Sequence, residues 1–257
     1  MKKTILCHFY NEEYMLPWFL AHHKKIFDHG VMIDYHSTDK SVEIIKKICP
    51  SWDIITSKNF NFQADKIDEE VFEIENSIEG WKICLNATEQ LIGNYSLLTD
   101  KPQQLLIPSI FFVDCDREIE VNYEMPLYNQ KTYGFTFENY FIERRARSLH
   151  NIYVKYPTYP TRECMGPGRH FNMYNTKELA IFYYGWCPFN RQQLKRKLQI
   201  QTQIPEIDRQ RGWGSHHITD EKTLTYRLEN EFIPKSTNLK EVINYYVTKH
   251  KNFSNIL

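Results

Sequence analysis

The stretch Val31–Ser41, with the sequence VMIDYHSTDKS, decides the fold class. It begins with three apolar residues, Val31–Ile33, as expected for a strand that is buried on both faces of a parallel sheet. A polar turn starts at Asp34, and apolar residues then recur at helical spacing after Ser41. Open α/β sheets build ligand crevices from such units, at the carboxyl ends of their strands. We therefore predict that Asp34 lies at the ligand-binding edge of a sheet.

The segment before this stretch has the same pattern. Thr4–Phe9 is an apolar run that predicts a first buried strand, and Tyr14–Ile26 predicts an amphipathic helix with Pro17 in its first turn. Gly30 is the expected C-cap of that helix. Asp53–Thr56 predicts a third short strand. A β-α-β-α-β order favours a parallel sheet with right-handed crossovers.

The middle of the chain continues with one acidic helix and two longer apolar runs. Asp65–Glu79 predicts a mostly solvated helix with one face on the sheet. Trp81–Ile92 is expected to be one strand with a polar break at Asn86–Glu89. Leu105–Val113 predicts another strand, in which Pro108 indicates an edge position or a bulge.

The C-terminal half differs from the N-terminal half in composition and in its pattern of apolar residues. Residues 123–159 are rich in aromatic residues and irregular, Asn190–Ile200 predicts a basic helix, and Asn238–Lys249 predicts a peripheral helix. No linker demands separate domains. We expect one domain over residues 1–257, with a nucleotide-binding half at about residues 1–120 and an acceptor half at about 121–257.

Composition narrows the class of protein. The 257 residues are 42% hydrophobic, and 32 basic residues balance 32 acidic ones, which argues against a general nucleic-acid binder. No segment has the ~20 apolar residues of a membrane span, and the N-terminal apolar run is too short for a signal peptide. Six dispersed cysteines without a CxxC pair indicate reduced thiols in a cytoplasmic protein. They are Cys7, Cys49, Cys84, Cys115, Cys164 and Cys187.

Three motifs in order carry a resemblance to a known family. Asn11-Glu12-Glu13 follows the first strand, Asp34 and then Ser37-Thr38-Asp39 follow the second, and Asn86-Ala87-Thr88-Glu89 follows the strand from Trp81. Over roughly the first 120 residues this resembles a GT-A glycosyltransferase of the family 2 type. The resemblance implies an α/β, Rossmann-like, mostly parallel sheet flanked by helices, with an irregular C-terminal acceptor region. It also implies transfer of a sugar from a nucleotide-sugar donor to a glycan or other hydroxyl acceptor.

The same resemblance implies where the donor binds. The predicted donor-binding residues come from the turns after the strands, from the basic helix and from two late polar loops. They are Tyr10, Asn11, Glu12, Asp34, His36, Asn86, Thr88, Arg169, His170, Arg196, Lys197 and His217. In the basic helix, arginine would make forked contacts with the diphosphate, although a solvated basic face is the simpler interpretation.

The chain departs from the family where an Asp-x-Asp motif is usual. Hard divalent cations prefer anionic oxygen ligands, and Asn86 and Thr88 supply no charge. Mn²⁺ or Mg²⁺ is therefore a possible cofactor, but the carboxylates that usually bind it are absent from this position. The residues that would bind a metal are unknown. The open alternatives are a metal-independent transferase, a degenerate site, or Asp114-Cys115-Asp116 as the true motif.

A transferase also needs a group that accepts the proton of the acceptor hydroxyl. The candidates are Glu89, Asp114, Asp116 and Asp208, and Glu89 is the predicted catalytic base because it alone belongs to the matched motif. The competing hypothesis is a non-catalytic nucleotide- or carbohydrate-binding protein that kept the fold. Nucleotide binders of the P-loop or dinucleotide type are disfavoured, because neither glycine-rich motif is present.

Overall fold

The computed structural model describes residues 1–138, 146–155 and 167–254, and arranges them as two β-sheets with flanking helices. The strands are β1 (Lys3–Phe9), β2 (His29–Asp34), β3 (Asp53–Thr56), β4 (Trp81–Cys84), β5 (Glu89–Gly93), β6 (Gln104–Ile107), β7 (Ser109–Val113), β8 (Tyr133–Phe135), β9 (Arg147–His150), β10 (Leu179–Trp186) and β11 (Thr237–Asn238). The helices are α1 (Leu16–His23), α2 (Ser41–Ile48), α3 (Ala64–Ser77), α4 (Leu127–Gln130), α5 (Arg191–Gln199), α6 (Glu206–Gln210), α7 (Glu221–Arg227) and α8 (Lys240–Ser254). The predicted α/β class is confirmed.

The first sheet has the strand order β3-β2-β1-β4-β9-β6. β1 pairs in parallel with both neighbours, so that Leu6 stands opposite Val31 of β2 and Cys84 of β4. Ile5 belongs to the main core, whereas Leu6 packs in a separate cluster with apolar residues of α3. Strands β1 and β2 are therefore buried on both faces, as predicted, whereas β3 is largely exposed. β9 runs antiparallel to β4 and β6, so the prediction of a mostly parallel sheet is only partly confirmed.

The second sheet, β11-β8-β7-β10-β5, corrects two strand predictions. Trp81–Ile92 is two strands in different sheets, because the chain leaves the first sheet at Asn86–Thr88 before β5 begins. Leu105–Val113 is likewise divided into β6 and β7 at Pro108. Proline has no N–H to offer a sheet, although the Pro108 carbonyl still accepts a hydrogen bond from the N–H of Ile181.

Helix α1 is shorter than predicted, and its C-terminus is formed differently. Pro17 does lie in the first turn. The C-cap is Lys24, whose N–H donates to the carbonyl of Leu20. The prediction that Gly30 caps this helix is wrong, because Gly30 lies inside β2. A Cβ at Gly30 would come within 2.2 Å of the Trp52 ring, which explains why this strand position is glycine.

Helix α3 confirms the predicted apolar face but not the solvation of its acidic residues. Ile67 and Val71 are buried against the first sheet, as expected. Asp68, Glu70 and Glu75 are buried as well. Glu70 accepts hydrogen bonds from the hydroxyl of Ser57 and from the following turn, which compensates for its loss of water.

The main core draws on both halves of the chain. It joins residues of β1 and α1 to residues of β10 and α8, among them Leu16, Phe182 and Tyr246. Of the aromatic residues between 123 and 141, Tyr128 and Phe135 are buried, whereas Tyr140 and Phe141 lie outside the described residues. Arg144, Arg145 and Gly166 also lie outside them.

The structure also bears on the predicted reduced thiols and on the predicted lack of a membrane span. Cys7, Cys49, Cys84, Cys115 and Cys187 are free thiols, and Cys164 lies outside the described part of the chain. Within residues 1–138, 146–155 and 167–254, none of the helices is both long enough and apolar enough to cross a bilayer.

Candidate active site

A cleft of about 620 Å³ opens beyond the carboxyl ends of β1 and β4. It is lined by most of the residues that the sequence predicts to bind the donor. These are Tyr10, Glu12, Asn86, Thr88, Arg169, His170, Arg196, Lys197 and His217. The strand order explains part of this gathering, because adjacent parallel strands deliver their following turns to the same edge of the sheet.

Helix α5 forms part of the cleft wall beside the turn after β1. Asn190 caps the helix by accepting a hydrogen bond from the N–H of Gln193. Gln199 donates to the carbonyls of Tyr10 and Asn11, which fixes the helix to the turn after β1. Arg196 and Lys197 line the cleft, whereas Arg191 and Lys195 are exposed to solvent outside it. The basic helix therefore has one face toward the cleft and one toward solvent.

Asn11, Asp34 and His36 are predicted donor-binding residues that do not line the cleft. Asn11 accepts hydrogen bonds from the N–H groups of Thr38 and Asp39, and it has a positive φ of 50°. Asp34 accepts from the N–H of Ser37 at 2.9 Å. The His36 ring stacks on Phe60, with centroids 4.5 Å apart. These three residues build the turns that border the cleft, and their contact with a donor stays a prediction.

The Asp-x-Asp position after β4 faces the cleft without supplying ligands for a metal. Oδ1 of Asn86 lies 3.0 Å from Nε2 of His8, and Thr88 is buried. Among the described residues, no group of three His, Cys, Asp or Glu side chains is arranged to hold a metal ion. The nearby carboxylates of Asp68 and Glu89 are engaged by arginines. This set of neutral oxygens does not fit Mn²⁺ or Mg²⁺, which prefer carboxylates.

Glu89, the predicted catalytic base, lies behind the cleft wall and not in its lining. Its side chain is 0% exposed, and both carboxylate oxygens accept from Nε of Arg147 at 3.0 Å. Oε2 also accepts from the backbone N–H of Asn86 at 2.8 Å. A base must reach the proton that it abstracts, so this geometry favours a positioning role over a catalytic one.

A second buried ion pair joins α3 to the loop at residues 167–170. Arg169 is 3% exposed, and its Nη1 donates to Oδ1 of Asp68. Oδ2 of Asp68 accepts from the backbone N–H of Gly168 at 2.6 Å. Nη2 of Arg169 lies 2.8 Å from Nε2 of His8. Burial, and next the charge of Arg169, hold the pKa of His8 well below its usual value, so His8 is neutral at physiological pH.

A third ion pair lies within the cleft itself. Nη1 of Arg196 donates to Oε1 of Glu12 at 2.7 Å, and Nε of Arg196 donates to Gln193. Burial raises the pKa of Glu12, although Arg196 acts in the opposite direction. Oε2 of Glu12 is buried and has no hydrogen-bond partner among the described residues. The turn after β1 therefore places a partly compensated carboxylate beside the basic face of α5.

The other base candidates occupy different places. Asp114 forms a buried pair with Lys131 at 2.7 Å beside the second sheet, and neither Asp114 nor Asp116 lines the cleft. This placement does not favour Asp114-Cys115-Asp116 as the Asp-x-Asp motif. Asp208 does line the cleft. Its Oδ2 accepts from the N–H of Ala64 at 2.7 Å, while Oδ1 is buried without a hydrogen-bond partner in the described part of the chain.

Several residues of the site were missed by the sequence analysis. His8 was treated as part of an apolar strand and Asp68 as part of a solvated helix, and Arg147 was given no role. Asp68 lies next to Ile67 on the buried side of α3, and an acidic residue beside an apolar helix face was the available signal. Trp186 also lines the cleft, with Nζ of Lys197 4.0 Å from the centre of its ring.

Comparisons with known proteins find partial similarities in structure. No protein-family model and no curated protein matches the sequence. TarS 1-349 from S. aureus, solved in complex with UDP-GlcNAc, is 17% identical over 59% of this chain and 45% of its own, with a TM-score of 0.37. Glucosyl-3-phosphoglycerate synthase from Mycobacterium tuberculosis, solved with Mn²⁺, UDP and glucosyl-3-phosphoglycerate, is 13% identical over 58% of this chain and 57% of its own, with a TM-score of 0.32. The matches thus span about half the length of those chains. Similarity at this level assigns no function to this chain.

Proposed function

We propose that the chain is a GT-A-like glycosyltransferase, which moves a sugar from a nucleotide-sugar donor to a hydroxyl acceptor in this cleft. One observation carries the proposal: the turns after parallel strands β1 and β4 open into a single cleft that is lined by arginine and lysine side chains. The edge formed by the carboxyl ends of parallel strands is where α/β sheets bind nucleotides. Basic side chains are the groups that recognise phosphate.

The diphosphate is neutralised in this proposal by protein side chains, without a metal ion. Arg196 and Lys197 present their charges from α5, beside Asn86 and Thr88. Arg196 exchanges part of its contact with Glu12 for the donor phosphate when the donor binds. Since Asn86 and Thr88 supply only neutral oxygens, the cations of α5 offset the charge that develops on the leaving diphosphate.

Proton transfer from the acceptor is assigned to Asp208. Asp208 lines the cleft, its buried Oδ1 has no hydrogen-bond partner among the described residues, and burial raises the pKa of its carboxyl group. A carboxylate with a raised pKa is a stronger base than an exposed one. Oδ2 is held by the N–H of Ala64, which orients the side chain. The alternative assignment to Glu89 stays a prediction, and it would require the pair with Arg147 to open.

The test is release of nucleoside diphosphate from UDP- and GDP-sugars, with and without a hydroxyl acceptor, in the presence of EDTA. The double variant Arg196→Ala/Lys197→Ala is expected to raise the donor KM or lower kcat by at least about tenfold, since each charged hydrogen bond contributes about 1.5–3 kcal/mol. The matched control is Arg191→Ala/Lys195→Ala, which removes the same charge from the exposed face of the same helix. Equal effects of the two double variants would contradict a role in donor binding and would support the interpretation of the basic helix as a solvated surface.

The second candidate is a non-catalytic protein that binds a nucleotide or a carbohydrate. The observation that favours it is the missing pair of carboxylates after β4, where Asn86 and Thr88 stand. The same assay separates the two candidates. Nucleotide binding without transfer or hydrolysis, across a broad panel of donors and acceptors, would support the binding protein.

A further inference from the structure

A continuous series of contacts leads from the motif after β4 to the cation in the cleft wall. Glu89 pairs with Arg147, and Nη1 of Arg147 donates to the carbonyl of Gly168 at 2.6 Å and to that of Arg169 at 3.4 Å. Asp68 holds the other side of the same turn through the N–H of Gly168 and the guanidinium of Arg169. The turn at Gly168–Arg169 is therefore held from two directions.

Arg169 has an uncommon backbone conformation in this turn. Its φ is 57°, which non-glycine residues adopt rarely, whereas the φ of 113° at Gly168 is one that glycine adopts readily. Such a conformation persists only where the surrounding contacts enforce it, and these residues concentrate at functional sites. The ion pairs Glu89–Arg147 and Asp68–Arg169 provide that enforcement. Their effect is to keep the Arg169 guanidinium in the cleft wall, within 2.8 Å of His8, which in turn lies beside Asn86.

We propose that Arg169 is a built-in substitute for the divalent ion: its guanidinium binds the donor diphosphate, and Glu89 and Arg147 are positioning residues that hold it there. This inference rests on the proposed function. The guanidinium carries five N–H donors in a planar fork that matches phosphate oxygens. It contacts His8, which in turn lies 3.0 Å from Asn86 at the Asp-x-Asp position.

The partner carboxylate does not prevent this role. A divalent ion held by two aspartates has no net formal charge, and the Asp68–Arg169 pair has none either. Binding would depend on directed N–H donors, which the held turn supplies in a fixed orientation. Asp68→Asn keeps one acceptor for the turn and leaves the Arg169 guanidinium in place, so the affinity for nucleoside diphosphate should fall less than when the guanidinium itself is removed.

The experiment is titration of UDP and GDP into the full chain in EDTA by calorimetry. The variant Asp68→Asn/Arg169→Gln replaces the pair with two neutral groups of similar shape, so no lone charge is buried. We expect its affinity for the better-bound nucleotide to fall by at least about tenfold, because a hydrogen bond from a charged donor is lost. The control is Asp68→Asn alone, which changes the same helix but retains the guanidinium.

The positioning role is tested by a double-mutant cycle. Arg147→Lys keeps a cation beside Glu89 but lacks the fork that reaches Gly168, and we expect a loss of affinity. In the Arg147→Lys background, Asp68→Asn/Arg169→Gln should cost less affinity than in the wild-type background. A merely structural role for Arg147 would give additive losses, and additivity would overturn the assignment.

The outcomes separate this inference from the proposed function. Binding to the wild-type chain only when Mn²⁺ or Mg²⁺ is added would overturn the inference and leave a metal-dependent donor site. Unchanged affinity of Asp68→Asn/Arg169→Gln in EDTA would overturn it while the proposed function stands. Failure of the wild-type chain to bind either nucleotide, with or without metal, would remove the proposed donor site and the inference together.

Discussion

The Glu89→Gln variant distinguishes a positioning role of Glu89 from a catalytic one. A positioning role predicts a large loss of stability, whereas a catalytic role predicts a large loss of turnover. Glu89 and Arg147 are 0% and 1% exposed, and their closest contact is 2.8 Å. Glutamine keeps the shape but leaves the Arg147 charge buried without its counter-ion. Removal of one partner of such a pair costs about 3–5 kcal/mol, because the remaining charge stays desolvated. For a chain of this size that is a fall in Tm of about 6–20 °C.

The assay is thermal or urea unfolding of the variant, followed by circular dichroism. A matched control is Glu69→Gln, which removes one carboxylate from the exposed Lys66–Glu69 pair, also at 2.8 Å. That change should leave the Tm nearly unchanged, because water screens exposed pairs. A second control is Glu89→Leu/Arg147→Met, which removes both charges and should recover most of the stability. If Glu89→Gln has the same Tm as the wild-type chain but its turnover falls by about 10²- to 10⁴-fold, Glu89 is the catalytic base.

Three other predictions concern the cleft and the core. Asp208→Asn should lower the transfer rate by about 10²- to 10⁴-fold and leave UDP affinity unchanged, since asparagine still accepts from Ala64; transfer at the wild-type rate would exclude Asp208 as the base. Asp34→Ala should weaken binding of the donor nucleotide without unfolding the chain, and calorimetry that shows unaltered affinity would place the base and ribose elsewhere. Burial lowers the pKa of His22 to about 3, so the neutral form stabilises the fold fully above pH 6.5, and this contribution is lost as the pH falls toward 3. Between pH 6.5 and pH 5 the loss from His22 should be about 1.6 kcal/mol, and this part of the loss should be absent in His22→Met; identical slopes for the two chains would contradict the assignment to His22.

Sequence patterns sufficed for the N-terminal half of the first sheet. The apolar runs of β1 and β2 and the short β3 lie where the patterns predict them, because a strand buried on both faces has a local signal in its own residues. The same is true of the position of Asn86 and Thr88 at the cleft edge. They follow β4, and β4 lies beside β1, so the ends of two parallel strands coincide. These features depend on neighbours in sequence and on the general rules of parallel sheets.

Only the tertiary structure showed that Trp81–Ile92 and Leu105–Val113 are each divided between two sheets. An apolar run carries no information about the sheet in which its residues pair. The partners of the buried charges were also beyond sequence patterns. Glu89 and Arg147 are 58 residues apart, and Asp68 and Arg169 are 101 apart. In the sequence, any carboxylate that follows a strand is a candidate base. Only the structure shows whether a distant arginine packs against it, which favours a positioning role. The local sequence specifies the charge of a side chain and the face on which it lies. The long-range packing of the chain decides whether that charge meets water, a substrate or a counter-ion.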